Sequence, residues 1–209
     1  MTAPLTHYFD PQRLTLHCGS NLPAAQSLLQ RSGRSALVSQ LTPAPTPQQL
    51  LDAAELAYQQ GYEQQAATEF ELQGLAIAGI GDPLLHLDVL AAFLPAFKAK
   101  RHGVPITLLT YGLVDAQQAP AICQQLLELE VERLEVYLPA SNPPAYQQAV
   151  KPTRFGFSEV CQFIHTAGDA GLQVSCFAYA SVAQQSELRA LALDLGARAF
   201  VIKPLAVND

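Results

Sequence analysis

Apolar and polar positions repeat along this chain with two different periods, which predicts strands and helices in turn. Residues 13–18 (RLTLHC) alternate polar and apolar positions as a half-buried strand does. Residues 72–79 (LQGLAIAG) instead form a continuous apolar run ending in glycine, which is typical of a strand buried on both faces of a parallel sheet. Further strands are predicted at 106–111, 133–138, 173–179 and 199–202. The pattern therefore predicts six strands.

Apolar residues at helical spacing fill the segments between these strands. Thr46 and Pro47 provide an N-cap and a first-turn proline for the first predicted helix. The predicted helices cover 47–60, 87–101, 119–130, 157–167 and 184–195. The segment 32–47 (SGRSALVSQLTPAPTP) lacks a clear period and contains three prolines, so it is predicted to be a surface loop.

Strict alternation of strands and helices, without a change of composition, predicts one α/β domain over residues 1–209. Two architectures fit this alternation, a doubly wound open sheet and an incomplete (β/α) barrel. The chain has 209 residues, whereas a complete eight-unit barrel usually needs about 250. Six strands and this length agree with a (β/α)6 partial TIM barrel.

Composition and charge restrict the partners that we expect. Apolar residues make up 49% of the chain and charged residues 14%, which predicts a globular domain. The formal net charge is −6 and no segment concentrates basic residues, so nucleic acid is not an expected partner. The apolar runs are far shorter than the ~20 residues of a membrane helix, and the first residues do not resemble a secretory signal. We expect a cytoplasmic protein with a small-molecule ligand or a protein partner.

Functional residues of such a fold lie at the carboxyl ends of the strands and in the loops that follow them. The turn after the second strand reads Gly79-Ile80-Gly81-Asp82-Pro83. A carboxylate there would repel a phosphate, so a ligand ammonium suits Asp82 better; the alternative is a turn residue that accepts local N–H bonds. The polar or aromatic residues expected at this end of the sheet are His17, Cys18, Asp82, His86, Tyr111, Tyr137, Ser141, Asn142, Tyr179 and Lys203.

Two other chemistries are open to these residues. His17 and Cys18, together with Asp82 and His86, have the ligand types of a mononuclear metal site, although their spacing matches no known signature. Lys203 follows the last strand, where a desolvated lysine forms Schiff bases with carbonyl substrates; the alternatives are a lysine that reaches solvent or one that contacts a cofactor.

Several motifs resemble those of radical S-adenosylmethionine (radical SAM) proteins. The segment AIAGIGDPLLHLDVL is similar to the motif that receives the cofactor's amino group, with Gly79, Gly81, Asp82 and Pro83 matching and Asp in place of the usual Glu. The segment ITLLTYGLV resembles the third strand of the family through Thr110, Gly112 and Leu113. A third segment resembles the TatD-associated radical SAM group at Leu138, Ala140, Tyr146, Pro152, Phe163 and Ile164.

The resemblance covers about 13–205 and implies a radical SAM-like (β/α)6 partial barrel. It also implies that S-adenosylmethionine is the cofactor and that Gly79, Gly81, Asp82, Pro83, Thr110 and Ser141 are binding residues.

The cluster motif of the family is missing. Radical SAM enzymes hold a four-iron, four-sulfur cluster with CxxxCxxC after the first strand, whereas here Leu22 and Ala25 follow Cys18 at those positions. The other cysteines, Cys123, Cys161 and Cys176, lie inside predicted helices or strands and are expected to be small buried hydrophobes. An iron–sulfur cluster is therefore not expected.

These observations predict a degenerate radical SAM-like protein, a binding or regulatory pseudoenzyme with a remnant cleft for S-adenosylmethionine or another small molecule. One alternative is an enzyme that uses a metal or a Lys203 imine, as a lyase or hydrolase. The other is an active radical SAM enzyme with unconventional ligands or a cysteine supplied by a partner.

Overall fold

The computed structural model describes residues 7–10, 13–17, 45–64, 74–78, 82–179 and 184–203. Seven strands lie in these ranges: β1 (His7–Asp10), β2 (Arg13–His17), β3 (Leu75–Ala78), β4 (Ile106–Thr110), β5 (Arg133–Tyr137), β6 (Gln173–Ala178) and β7 (Ala199–Ile202). The α-helices are α1 (Pro47–Gln64), α2 (Leu87–Lys100), α3 (Ala119–Glu128), α4 (Pro143–Val150), α5 (Phe157–Asp169) and α6 (Gln185–Asp194). A short 3₁₀ helix (Pro83–His86) precedes α2.

All seven strands form one sheet in the order of the sequence, from β1 to β7. The strands from β2 to β7 pair in parallel, and β1 pairs antiparallel with β2. A doubly wound sheet reverses its strand order at a switch point. This order does not reverse among the described strands, so the doubly wound alternative is wrong and the fold is a singly wound α/β sheet.

One face of the sheet packs against the helices. Because crossovers between parallel neighbours are right-handed, the helices between consecutive strands lie on the same face. Gly112 identifies the helix-packed face of β5. A Cβ built at Gly112 would lie 2.8 Å from Phe163 Cδ1 of α5 and 3.4 Å from Val136 Cγ1, so the Val136 and Phe163 side chains approach each other at Gly112. Val136 therefore points toward α5, and its neighbours Glu135 and Tyr137 point to the opposite face.

We call this opposite face the open face. Strand register aligns three rows of residues on it. Its polar side chains that are at least partly exposed are Arg133, Glu135, Gln173 and Ser175, whereas Thr107, Tyr137 and Phe177 are buried. The open face consists of Thr107, Leu109, Arg133, Glu135, Tyr137, Gln173, Ser175, Phe177, Ala199 and Val201.

The six predicted strands and five predicted helices are present, with ends that differ by a few residues. The structure has two further elements that the sequence pattern did not predict, β1 and α4, so the count of six strands was wrong by one. The β1 segment has no clear apolar period and is recruited as an antiparallel edge by pairing with β2. The α4 segment begins with two prolines, and the side chain of Asn142 accepts a hydrogen bond from Ala145 N that caps it.

Local signals explain where other helices begin and end. Thr46 and Gln49 form a reciprocal capping box at α1, with Gln49 N donating to Thr46 Oγ1 at 3.2 Å and Thr46 N donating to Gln49 Oε1 at 2.8 Å. This confirms the N-cap predicted from the sequence. The predicted loop over 32–47 lies mostly outside the described residues. No helix within the described ranges has both the length and the apolar character needed to cross a bilayer.

Candidate functional site

Asp82 joins the end of β3 to the end of β4. Its side chain is 2% exposed and caps the 3₁₀ helix by accepting a hydrogen bond from Leu84 N at 3.1 Å. It also accepts a bond of 2.6 Å from Thr110 Oγ1 and one of 3.1 Å from Tyr111 N. Burial raises the pKa of Asp82, although the hydrogen bonds from Thr110 and the backbone act in the opposite direction. The local N–H acceptor expected as the alternative is therefore present, and an ammonium-binding role stays a prediction.

Gly112 allows the chain to turn directly after this junction. Its φ of +65° is a conformation that residues with a side chain rarely adopt, and its N–H donates to Thr110 Oγ1 at 2.9 Å. A Cβ at this position would also meet Phe163 Cδ1 at 2.8 Å. The Thr-Tyr-Gly segment found in the sequence thus holds Asp82 while leaving room for α5.

Aromatic side chains line the carboxyl ends of β4, β5 and β6. The ring of Tyr137 lies 5.4 Å from those of Tyr111 and Phe177 and 6.2 Å from that of Tyr179, measured between centroids. Burial is the main cause that raises the pKa of Tyr111, and the nearby Tyr137 and Asp82 add to it. Tyr146 of α4 is fully buried, and burial followed by the Asp82 charge raises its pKa as well. Both hydroxyls therefore favour the protonated form, and the Tyr146 hydroxyl is buried without a hydrogen-bond partner among the described residues.

Lys203 forms an ion pair with Glu135 across the open face. Its Nζ lies 2.5 Å from Glu135 Oε2 and 4.0 Å from the centroid of the Phe177 ring. The side chains of Lys203 and Glu135 are 24% and 19% exposed. The Lys203 ammonium thus has both an ion-pair partner and an aromatic ring in contact with it. A Schiff-base role for Lys203 stays a prediction.

The other predicted site residues are placed as follows. Ser141 Oγ donates to Glu187 Oε2 at 3.3 Å, and Asn142 caps α4. His17 ends β2 opposite Ala78 in the register with β3. Cys18, Gly79 and Gly81 lie outside the described residues, as do Leu22 and Ala25. Among the described residues, no group of three or more His, Cys, Asp or Glu side chains is placed to hold a metal ion.

The three cysteines that the structure describes have the environment of small apolar residues. Cys123 of α3 and Cys176 of β6 are fully buried, and Cys161 of α5 is partly buried. Burial raises the pKa of Cys123 and Cys161 to about 11 and that of Cys176 to about 12. Metal ligation needs the thiolate, which these environments disfavour.

Two residues of the site, Glu135 and Phe177, were not among those expected from the sequence. Both precede the carboxyl end of their strands and point to the open face. The only signal for Glu135 was a charged residue in the middle of a strand of an otherwise buried sheet. Its pairing with Lys203, 68 positions away, depends on the register of three strands.

Comparison with known proteins gives no family assignment. No family model matches the chain, and no curated protein matches it. An isomerase from Streptomyces coelicolor A3(2) aligns with 74% of this chain and 34% of its own at 16% identity, with a TM-score of 0.41. An enolase from Gibberella zeae PH-1, complexed with magnesium, formate and sulfate, aligns with 75% of this chain and 35% of its own at 12% identity, with a TM-score of 0.41.

A putative mandelate racemase/muconate lactonizing enzyme from Sorangium cellulosum aligns with 78% of this chain and 51% of its own, at 18% identity and a TM-score of 0.33. The chain spans about a third of the length of the isomerase and the enolase. Similarity at this level defines neither a shared fold nor a shared chemistry.

Proposed function

We propose that this chain is a radical SAM-like partial barrel without the iron–sulfur cluster, which binds a small molecule at the carboxyl ends of its strands as a non-catalytic or regulatory protein. The sequential order of the six parallel strands supports the partial barrel, because consecutive units of a (β/α) barrel are neighbours in the sheet. The positions of Asp82 after β3 and Thr110 at the end of β4 agree with the motifs of the resemblance.

The open face carries this proposal. The interior of a complete barrel is a packed core of branched apolar side chains. On the open face, the partly exposed Glu135 of β5 forms its ion pair with Lys203, which directly follows β7, whereas the exposed Arg133 and Gln173 lie at the amino ends of β5 and β6. A charged pair toward the carboxyl ends of the strands fits a solvated ligand cleft better than a packed interior.

The donor set does not fit an iron–sulfur cluster. Of the three positions of the CxxxCxxC motif, only Cys18 is a cysteine, and the side chains of Leu22 and Ala25 have no atom that could bind iron. We therefore derive no radical chemistry for this chain. S-adenosylmethionine is a candidate as a ligand only, with Asp82 as the acceptor for its ammonium group.

Calorimetric titration with S-adenosylmethionine tests the ligand. We expect the wild-type protein to bind S-adenosylmethionine and Asp82→Ala to lose this binding. Asp88 is an exposed carboxylate on α2, so Asp88→Ala is the control variant and should bind like the wild type. Absence of binding to the wild-type protein would remove S-adenosylmethionine as the ligand. Equal binding by wild type and Asp82→Ala would remove Asp82 from the site.

Anaerobic reconstitution with iron and sulfide tests the loss of the cluster. Thiolate-bound iron–sulfur clusters absorb at about 410 nm. Because two of the three cysteine positions of the motif are not cysteine, we expect no such band after desalting. A brown product with that band and stoichiometric iron would show that other ligands hold a cluster. The protein would then be an active enzyme candidate, and the pseudoenzyme proposal would fail.

A further inference from the structure

The strand β7 lies at an edge of the sheet, because within the described residues it pairs with β6 alone. We propose that this edge pairs antiparallel with β7 of a second copy of the chain, across a twofold axis perpendicular to the sheet. The two copies then share one continuous sheet. This inference goes beyond the proposed ligand site and does not depend on it.

The backbone groups that face away from the sheet on β7 are those of Phe200 and Ile202. Lys203 N donates to Ala178 O at 3.0 Å, and Ala178 is aligned with Ile202. In a parallel pair a residue bonds to both neighbours of its aligned partner, so Ala178 bonds to Val201 and Lys203. The N–H and C=O groups of Phe200 and Ile202 therefore point away from β6, and no strand in the described ranges pairs with them there.

This edge lacks the features that usually prevent strand pairing. Edge strands of natural proteins are protected by charged residues, prolines or bulges. β7 instead reads Ala-Phe-Val-Ile, and Val201 is 47% exposed, one of four large apolar side chains that are exposed among the described residues. The edge strand β1, in contrast, has His7 and Asp10 at its ends. Of these two edges, β7 therefore favours pairing.

Self-pairing of β7 fits one register. With Val201 on the twofold axis, Phe200 of each copy lies opposite Ile202 of the other, and each such pair exchanges two hydrogen bonds. A register centred on Phe200 would need the N–H of Arg198, which already donates to β6 at 2.8 Å. A register centred on Ile202 would place Phe200 opposite Pro204, which has no N–H. The first register uses all the outward groups and places the two exposed Val201 side chains next to each other.

The same pairing would cover the outer side of α6. Its buried residues are Leu188 and Ala192, whereas α2 and α5 each bury four residues. The twofold axis keeps the helices of both copies on one face of the shared sheet. Because paired strands lie about 4.8 Å apart, the two α6 helices would lie about 10 Å apart, which is close to the usual distance between packed helices. The second copy thus supplies a neighbour for α6, after which no helix follows in the described part of the chain.

Sedimentation velocity over a range of protein concentrations tests the interface. We expect a wild-type dimer that dissociates on dilution. Val201→Lys places two ammonium groups opposite each other at the axis and should weaken dimerisation about tenfold or more. Val201→Thr keeps the β-branched shape and should dimerise like the wild type. Leu56→Lys introduces the same charge at an exposed apolar residue of α1 and should leave dimerisation unchanged.

Oxidative crosslinking tests the register. In Val201→Cys the two Cα atoms at the axis would lie about 4.5 Å apart, within the range that a disulfide bridges. We therefore expect a disulfide-linked dimer on a non-reducing gel. Ala199→Cys is the matched control, because Ala199 lies opposite Lys203 of the other copy and the two introduced cysteines would be about 13 Å or more apart.

Three outcomes would overturn the inference. It fails if the wild type stays monomeric up to about 0.5 mM, if Val201→Lys dimerises as tightly as the wild type, or if Ala199→Cys crosslinks as readily as Val201→Cys. Circular dichroism verifies that Val201→Lys is folded. If it is not, the crosslinking comparison decides, because cysteine at the exposed position 201 is a smaller change than lysine.

Discussion

Thr110 Oγ1 donates a hydrogen bond of 2.6 Å to the buried carboxylate of Asp82, which ties the segment after β3 to the end of β4. The same hydroxyl accepts a bond of 2.9 Å from Gly112 N, so it also fixes the turn that follows. Three residues singled out in the sequence, Asp82 after one strand, Thr110 at the end of the next and Gly112 in the turn that follows, thus form one hydrogen-bonded junction.

This junction should make stability depend on pH. Burial raises the pKa of Asp82 above 3.8, so the folded protein binds this proton more tightly than the unfolded chain. The contribution of the group to stability is full below about pH 4 and is lost as the pH rises through the folded pKa. We therefore expect the free energy of unfolding of the wild type, relative to Asp82→Asn, to decrease from about pH 4 toward pH 7.

Urea unfolding at several pH values in this window measures that difference. Thr110→Val removes a donor to the charged carboxylate and should steepen the decrease relative to wild type. A difference between wild type and Asp82→Asn that stays constant, or that grows in favour of the wild type as the pH rises, would contradict the prediction.

Gly112 should tolerate a side chain less well than another glycine with positive φ. Gly112→Ala combines a left-handed backbone conformation with a Cβ 2.8 Å from Phe163 Cδ1, and we expect a loss of about 2–4 kcal/mol. Gly103 has a φ of +77°, but a Cβ there would meet no heavy atom within 4 Å, so Gly103→Ala should cost about 1–2 kcal/mol. Chemical denaturation of both variants gives the comparison, and equal losses would show that the contact with α5 relaxes freely.

The ion pair between Lys203 and Glu135 should show a measurable coupling energy. Both side chains are less than a quarter exposed, so a double-mutant cycle with Lys203→Met and Glu135→Gln should give about 1–3 kcal/mol. The pair of Lys98 with Glu130 serves as the reference, because Glu130 is largely exposed and its coupling should be smaller and more sensitive to salt. A coupling for Lys203 and Glu135 no larger than this reference would contradict the expected contribution.

The described cysteines should react slowly in the folded protein. With a pKa of about 11, Cys123 and Cys161 carry a thiolate fraction of roughly one in a thousand at about pH 8, and Cys176 carries less. Iodoacetamide labelling followed by peptide mass spectrometry should therefore modify Cys176 most slowly, and all three should react readily in urea. Rapid labelling of Cys176 in the native protein would show that its surroundings open or that its thiol is ionised.

The sequence predicted the parts of this structure that depend on local patterns. Continuous apolar runs marked the buried strands, and the capping signal at Thr46 marked the start of α1. The edge strand β1 lacks such a pattern, because its position depends on hydrogen bonds to β2. The Glu135–Lys203 pair could not be predicted either, since it depends on the alignment of β5, β6 and β7 rather than on residues near in sequence.

The strand order also bears on how the chain folds. Phe177 pairs with Val201, 24 positions on, whereas Leu16 pairs with Ile77, 61 positions on. Closing the longer loop from the unfolded chain costs about 0.8 kcal/mol more free energy, because more chain entropy is lost. Pairing of β6 with β7 is therefore entropically easier than pairing of β2 with β3, whereas β1 and β2 pair over only a few positions. The β1–β2 hairpin is thus expected to form locally and to join β3 as a late step of folding.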